Sequence, residues 1–178
     1  MGDWWRPIWD AIAKDFSDIP TTAEGARTTL RLLLAAILGG ALGFERERSG
    51  KSAGLRTHML VALGSALFVL IPQRAGIAEA DITRVLQGLV AGIGFLGAGA
   101  IVQATNPHQV KGLTTAAGIW MTAAIGMAAG MGHGATALVS TGLALIILAL
   151  LPKSLNGHGN GHGNGHGDGH ADGPPTPA

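Results

Sequence analysis

The 178-residue chain is 47% hydrophobic and 13% charged, carries 29 glycines and no cysteine, and has a net charge of +1. The near-neutral charge argues against a nucleic-acid-binding protein, and the lack of cysteine excludes disulfides and thiol chemistry. Charged residues reach only about half of their usual share in soluble domains, so the composition predicts a membrane protein.

The N-terminal stretch MGDWWRPIWDAIAKDF lacks the cationic start of a signal peptide. Trp5, Ile8, Trp9, Ile12 and Phe16 recur in it at helical spacing. Because tryptophan favours the headgroup region, the pattern predicts an amphipathic helix lying on the membrane; the alternative is a short disordered leader. In the predicted domain organisation, residues 1–27 form this helix and a loop after it.

Five apolar segments follow and predict a transmembrane domain over residues 28–152. They cover residues 29–44, 57–71, 84–102, 113–131 and 135–151. A spanning helix needs about 20 residues; the last three segments approach that length, whereas the first two are short. A soluble fold would need many more polar faces. We therefore expect an all-α integral membrane protein with about five transmembrane helices.

The orientation depends on where the basic residues lie. Their densest cluster in a short loop is Arg46, Arg48, Lys51 and Arg56, between the first two spans. With this cluster included, the two sides of the membrane carry six and five basic residues near span ends. Because basic loops favour the cytoplasmic side, we expect the N-terminus outside and the C-terminus in the cytoplasm.

Small residues recur at every fourth position in three of the spans. They are Thr114, Gly118, Thr122, Gly126, Gly130 and Gly134 in the fourth span, Gly39 and Gly43 in the first, and Gly88 and Gly92 in the third. Lipid gives helices no hydrophobic reason to associate, so close backbone contact must supply the attraction. The pattern predicts Gly-rich helix packing with the third span central. Packing within one chain and packing between copies, as in a homodimer, remain equal alternatives.

The C-terminal stretch, residues 153–178, repeats a Gly-His unit. It places His158, His162, His166 and His170 in a glycine-rich chain. Imidazoles in such a tract present ligands for zinc, nickel or copper, but ordering so many glycines is entropically costly. We expect a disordered tail whose transition-metal binding is weak.

No catalytic signature is present, so an enzyme is not expected. The remaining candidates for chemistry are charges at the span ends. We expect Glu45 to pair with Arg48 or Arg56, and Thr57 to cap the second span. Asp81 and Arg84 share a face at the start of the third span. Such residues either mark a pathway through the membrane or only fix its orientation.

Three ordered blocks resemble the MgtC/SapB family of bacterial membrane proteins. They are GGALGFERERSGKSAGLRTHMLVALGSALF, DITRVLQGLVAGIGFLGAGAIV and VKGLTTAAGIWMTAAIGMAAGMG, within residues 28–151. The resemblance implies an inner-membrane protein of about five helices with a cytoplasmic C-terminus. Carried over by motif, its functional residues are Glu45, Arg46, Glu47, Arg56, Thr57, His58, Asp81, Arg84, Lys111, Thr114, Thr115 and Trp120.

The family resemblance implies two kinds of function. The family is associated with growth at low magnesium and with virulence, and some members are described as restraining ATP synthase. Longer members add a soluble domain after the last helix, whereas this sequence resembles a short member without it. One hypothesis is therefore a protein of magnesium homeostasis, moving a cation or supporting adaptation, with possible Mg²⁺ association and no other cofactor. The alternative is a non-transporting regulatory protein that binds a membrane partner such as ATP synthase or a second copy.

Overall fold

The structure, a computed structural model, describes residues 4–15, 17, 21–102 and 111–150 and is all-helical over them. Its helices are α1 (Arg6–Asp15), α2 (Thr22–Arg48), α3 (Leu55–Arg74), α4 (Glu79–Val102), α5 (Leu113–Gly130) and α6 (Gly134–Leu150). Four of them, α2 to α5, are long and apolar enough to cross a membrane, and α6 is a shorter apolar helix. The all-α membrane architecture predicted from the sequence is confirmed.

The first two spans differ in length from the prediction. They were predicted to be short but are helices of 27 and 20 residues, whereas α6 has 17 residues, as many as its predicted segment. At 1.5 Å per residue, α2 is about 40 Å long, against about 30 Å for the hydrocarbon core of a bilayer. The helix continues beyond its apolar stretch because arginine and glutamate are good helix formers.

The start of α2 also lies earlier than the sequence suggested. Thr21 is its N-cap, and the Thr21 hydroxyl accepts a hydrogen bond of 3.2 Å from the Glu24 N–H. Such a cap satisfies one of the donors that a helix start leaves unpaired. The loop predicted before residue 28 was therefore wrong from Thr22 onward.

The N-terminal helix α1 is confirmed, and it packs on no other helix of the described chain. Trp5, Ile8, Trp9 and Ile12 are all exposed, while Phe16 lies outside the described residues. A short helix with an uncovered apolar face needs another surface to bury it. Its position on the membrane surface stays a prediction.

The centre of the bundle is α5, which packs against α2, α3, α4 and α6. A Cβ added to Gly126 would meet the backbone of Ala62, with the Ala62 Cα at 2.8 Å. At Gly130 it would meet Ala66 in the same way, with its Cα also at 2.8 Å. The glycines of α5 therefore let α3 approach backbone to backbone, which is how small residues join membrane helices.

Two glycines of the first span, Gly39 and Gly43, contact the same neighbouring helix. A Cβ at Gly39 would lie 2.6 Å from the His58 carbonyl oxygen, and one at Gly43 would lie 2.7 Å from the Leu55 Cα. Both positions face α3. The hairpin of α2 and α3 is thus closed by bare backbone on α2, and α5 packs against α3 through its own bare backbone.

The prediction that the third span is central was wrong. Among the described helices, α4 packs on α5 and α3 only. A Cβ at Gly88 or Gly92 would contact nothing within 4 Å, so neither glycine has the predicted packing role within the chain. Spacing alone shows that a glycine face exists, but the rotation of the helix decides whether that face meets a neighbour.

The contact between α3 and α5 predicts a difference between two glycine-to-alanine variants. Gly126→Ala forces a methyl group into the backbone of Ala62 and should cost about 1–3 kcal/mol, as overpacking usually does. Gly92→Ala adds the same group where space is open and should leave stability unchanged or raise it by up to about 1 kcal/mol through helix propensity.

The measurement is the unfolding midpoint of each purified variant in detergent. A Gly126→Ala protein as stable as the Gly92→Ala control would show that α3 and α5 are not in backbone contact.

Candidate functional site

The charged turn between α2 and α3 is closed by Glu47. α2 runs through Arg48, and Gly50 takes a positive φ of 66° in the return. The Glu47 Oε2 then accepts a hydrogen bond of 2.9 Å from the Leu55 N–H, the first residue of α3. Thr57, predicted to cap this helix, is exposed. The prediction was wrong because the preceding helix supplies the acceptor that a local cap would have supplied.

Beside this turn lies a buried ion pair. Arg46 is 3% exposed, and its Nε donates to the Glu45 Oε2. The Ser49 hydroxyl donates to the other oxygen of Glu45 at 2.8 Å. Glu45 was expected to pair with Arg48 or Arg56, but both of these arginines are exposed.

The rotation of α2 explains why Arg46 is the buried arginine. Leu38, Leu42 and Arg46 are spaced by four residues, and all three are buried. Residues four apart lie on one face of a helix, so the face that meets the bundle core ends in this guanidinium. The carboxylate of Glu45 neutralises it, as a charge removed from water requires.

His58 lies deeper in the same region and is fully buried. Its Nδ1 is 3.0 Å from the Gly54 carbonyl oxygen, which can only accept, so Nδ1 donates. The Nε2 of the same ring has no hydrogen-bond partner among the residues that the structure describes.

Gly118 of α5 brings these side chains together. A Cβ built on it would lie 3.4 Å from the His58 Nε2 and 3.9 Å from the Arg46 Cδ. Three helices therefore meet around one glycine. We call the set of Glu45, Arg46, Ser49, His58 and Gly118 the polar junction.

The other residues predicted from the motifs do not join the polar junction. Asp81 and Arg84 pair with each other at 3.1 Å on the exposed start of α4, at the opposite end of the bundle. Thr115 is buried in the first turn of α5. The remaining predicted residues are exposed: Glu47, Arg56, Thr57, Lys111, Thr114 and Trp120.

No metal site is assembled from these groups in the described part of the chain. Among residues 4–15, 17, 21–102 and 111–150, no group of three or more His, Cys, Asp or Glu side chains is placed to hold a metal ion. His158, His162, His166 and His170 of the tail lie outside those residues.

Two polar residues were missed at the level of sequence, and one of them, Ser49, belongs to the polar junction. Ser49 follows Glu45 by four residues, a spacing that would have indicated it once α2 was known to extend that far. Ser65 is buried on α3, and no described residue is a partner for its hydroxyl. It follows His58 by seven residues, which is two helical turns, so both unpartnered groups lie on the buried side of one helix.

The buried pair predicts unequal effects for two arginine variants in the same turn. Arg46→Ala leaves the carboxylate of Glu45 without its charge partner and should cost about 3–5 kcal/mol, as breaking a buried pair does. Arg48→Ala removes an exposed arginine and should change stability by less than about 0.5 kcal/mol. The stability of both variants is measured by the yield of folded protein and by its unfolding midpoint in detergent. Equal values for the two variants would contradict burial of Arg46.

Comparisons with known proteins agree with this architecture. The model of the MgtC family matches residues 32–156. The chain is 44% identical to protein SrpB of Synechococcus elongatus, over 68% of this chain and 72% of SrpB. It is 43% identical to "Putative magnesium transporter YhiD" of Escherichia coli K12, over 69% of this chain and 60% of YhiD.

A third relative, protein MgtC of Brucella abortus, is 43% identical over 71% of this chain and 52% of its own length. The match thus spans a little over half of the length of the MgtC and YhiD relatives. No solved structure matches the chain significantly. The match to the family model covers most of the chain, and the chain belongs to the MgtC family.

Proposed function

We propose that this chain is an inner-membrane protein that supports magnesium homeostasis. Two lines support the proposal: membership of the MgtC family, and 43% identity to YhiD, whose name refers to magnesium transport. The orientation proposed with it has the N-terminus outside and the C-terminus in the cytoplasm. No enzymatic step is part of the proposal.

Within this function, the geometry favours support of magnesium adaptation over direct movement of the ion. Mg²⁺ prefers carboxylate oxygens, usually with several waters retained. The three motif carboxylates are already engaged: Glu45 by Arg46 and Ser49, Glu47 by the Leu55 N–H, and Asp81 by Arg84. The engagement of Glu45 carries this preference, because its carboxylate is the charge partner of the buried Arg46 guanidinium.

The proposal predicts that growth, but not flux from the pure protein, depends on Glu45. In a bacterium lacking its own family member, expression of this chain should restore growth at limiting magnesium. Glu45→Gln removes the charge that neutralises Arg46 while keeping an acceptor, and should lower that growth several-fold. Arg48→Ala, in the same turn but exposed, should restore growth like the unchanged protein.

The flux measurement separates support from transport. Sealed vesicles that contain the purified protein should take up Mg²⁺ no faster than protein-free vesicles. Uptake that depends on Glu45 or Asp81 would contradict the supporting role and establish transport. Equal growth with Glu45→Gln and with Arg48→Ala would show that the function does not depend on the polar junction.

A second candidate function, regulation of a membrane partner such as ATP synthase, is favoured by the outer face of α4. Gly88, Gly92 and Gly99 have open space beside them, and Phe95 is 81% exposed. Bare backbone is the surface that membrane helices use to associate. The glycines of α5, by contrast, are already occupied by α3.

This second candidate predicts that Gly92→Leu prevents copurification of the partner. The added side chain would hold the two helices apart. Gly142→Leu on α6 is the matched control, because that glycine also has open space around it. Recovery of ATP synthase subunits, or of a differently tagged second copy, is measured after mild detergent extraction. Undiminished recovery with Gly92→Leu would exclude α4 as the partner surface.

A further inference from the structure

At the end of the bundle opposite the polar junction, an open groove of about 830 Å³ lies between α2 and α3. Its polar wall consists of Glu24, Arg27, Thr28, Arg31, Gln73 and Arg74. Leu67, Leu70 and Ile71 line its apolar side, together with Ala75. We call this feature the arginine groove. It contains none of the family-motif residues.

Positive charge predominates in the described lining of the arginine groove. Its three arginines face one carboxylate there, that of Glu24. Glu24 is about half exposed and stands 3.7 Å from the Arg74 guanidinium, so its effect is screened by solvent. Arg27 and Arg31 are four residues apart on α2, a spacing at which like charges repel on a helix. The groove therefore carries an excess of positive charge that an anion would relieve.

Two of the arginines are held in place by contacts between helices. The Arg31 Nη1 donates to the Gln73 Oε1 at 3.1 Å and to the Gly130 carbonyl oxygen at 3.2 Å. The Arg74 Nη1 donates to the Thr28 hydroxyl at 2.8 Å. These bonds join α2, α3 and α5, so the guanidinium groups are positioned before any ligand arrives. Such preorganisation lowers the cost of binding.

Arg27 contributes a charge of a different kind. It lines the groove and is exposed, and the described residues include no hydrogen bond or ion pair for it. A guanidinium offers a planar fork of donors that matches the oxygens of a phosphate group. Arg27 is thus the arginine whose donors a ligand can use without breaking a contact of the fold.

We propose that the arginine groove binds a phosphate group, carried by an anionic phospholipid or free in solution. The lipid source fits the whole groove. Its arginines stand near the start of α2 and the end of α3, and Leu67, Leu70 and Ile71 line the side along which an acyl chain would run.

The test compares Arg27→Gln with Arg84→Gln. Each variant removes one arginine charge at the same end of the bundle, but Arg84 pairs with Asp81 outside the groove. The full chain in nonionic detergent is offered dioleoylphosphatidylglycerol, dioleoylphosphatidylcholine or inorganic phosphate. Native mass spectrometry measures the retained lipid, and isothermal titration calorimetry measures phosphate binding. Midpoints of unfolding without ligand check that both variants fold.

We expect one phosphatidylglycerol per chain to be retained in preference to phosphatidylcholine, whose choline cancels the phosphate charge. Arg27→Gln should weaken that binding about tenfold, the value of one charge-assisted hydrogen-bonding group, and Arg84→Gln should leave it unchanged. Phosphate binding with the same dependence on Arg27, without lipid selectivity, would identify free phosphate as the source. Equal weakening by both variants would indicate general surface attraction and overturn the site, as would equal retention of the two lipids without any phosphate binding.

Discussion

The backbone contact between α3 and α5 is the constraint on which the rest of the molecule depends. Gly126 and Gly130 allow the two helices to approach until their main chains touch at Ala62 and Ala66. Apolar side chains would gain nothing by leaving lipid for each other, so the stabilisation must come from dispersion at short range. α2 then closes on α3 through Gly39 and Gly43. The same approach carries Gly118 up to His58 and creates the polar junction.

The polar junction and the arginine groove differ in how their arginine charges are offset. In the junction, a single carboxylate offsets a single buried guanidinium, and each oxygen of Glu45 has its own donor. In the groove, several guanidiniums remain near water, and the described lining includes one carboxylate. The ion pair of the junction is complete within the chain, whereas the described lining of the groove keeps a surplus of positive charge that a ligand would offset.

Much of the architecture could be predicted from the sequence, because apolar runs in a chain this poor in charge have few alternatives to spanning helices. The glycine register of α5 was also readable. The same spacing in α4 was misleading, since Gly88 and Gly92 face away from the other helices. Periodicity defines a face but not the direction in which the fold turns it. The pairing of Glu45 with Arg46 likewise depended on the rotation of α2. The capping of α3 by Glu47 depended on a contact between two helices that forms only in the folded chain.

The length of α2 has a consequence for how the protein sits in different membranes. A helix of 27 residues exceeds the hydrocarbon thickness by about 10 Å, so it must either tilt or extend beyond the lipid tails. Hydrophobic mismatch costs a fraction of a kcal/mol per Å, so a change in bilayer thickness would change how far the polar ends of α2 extend beyond the lipid tails. Because Arg46 lies in its last turn, thicker or thinner bilayers would draw the buried guanidinium toward or away from the aqueous boundary.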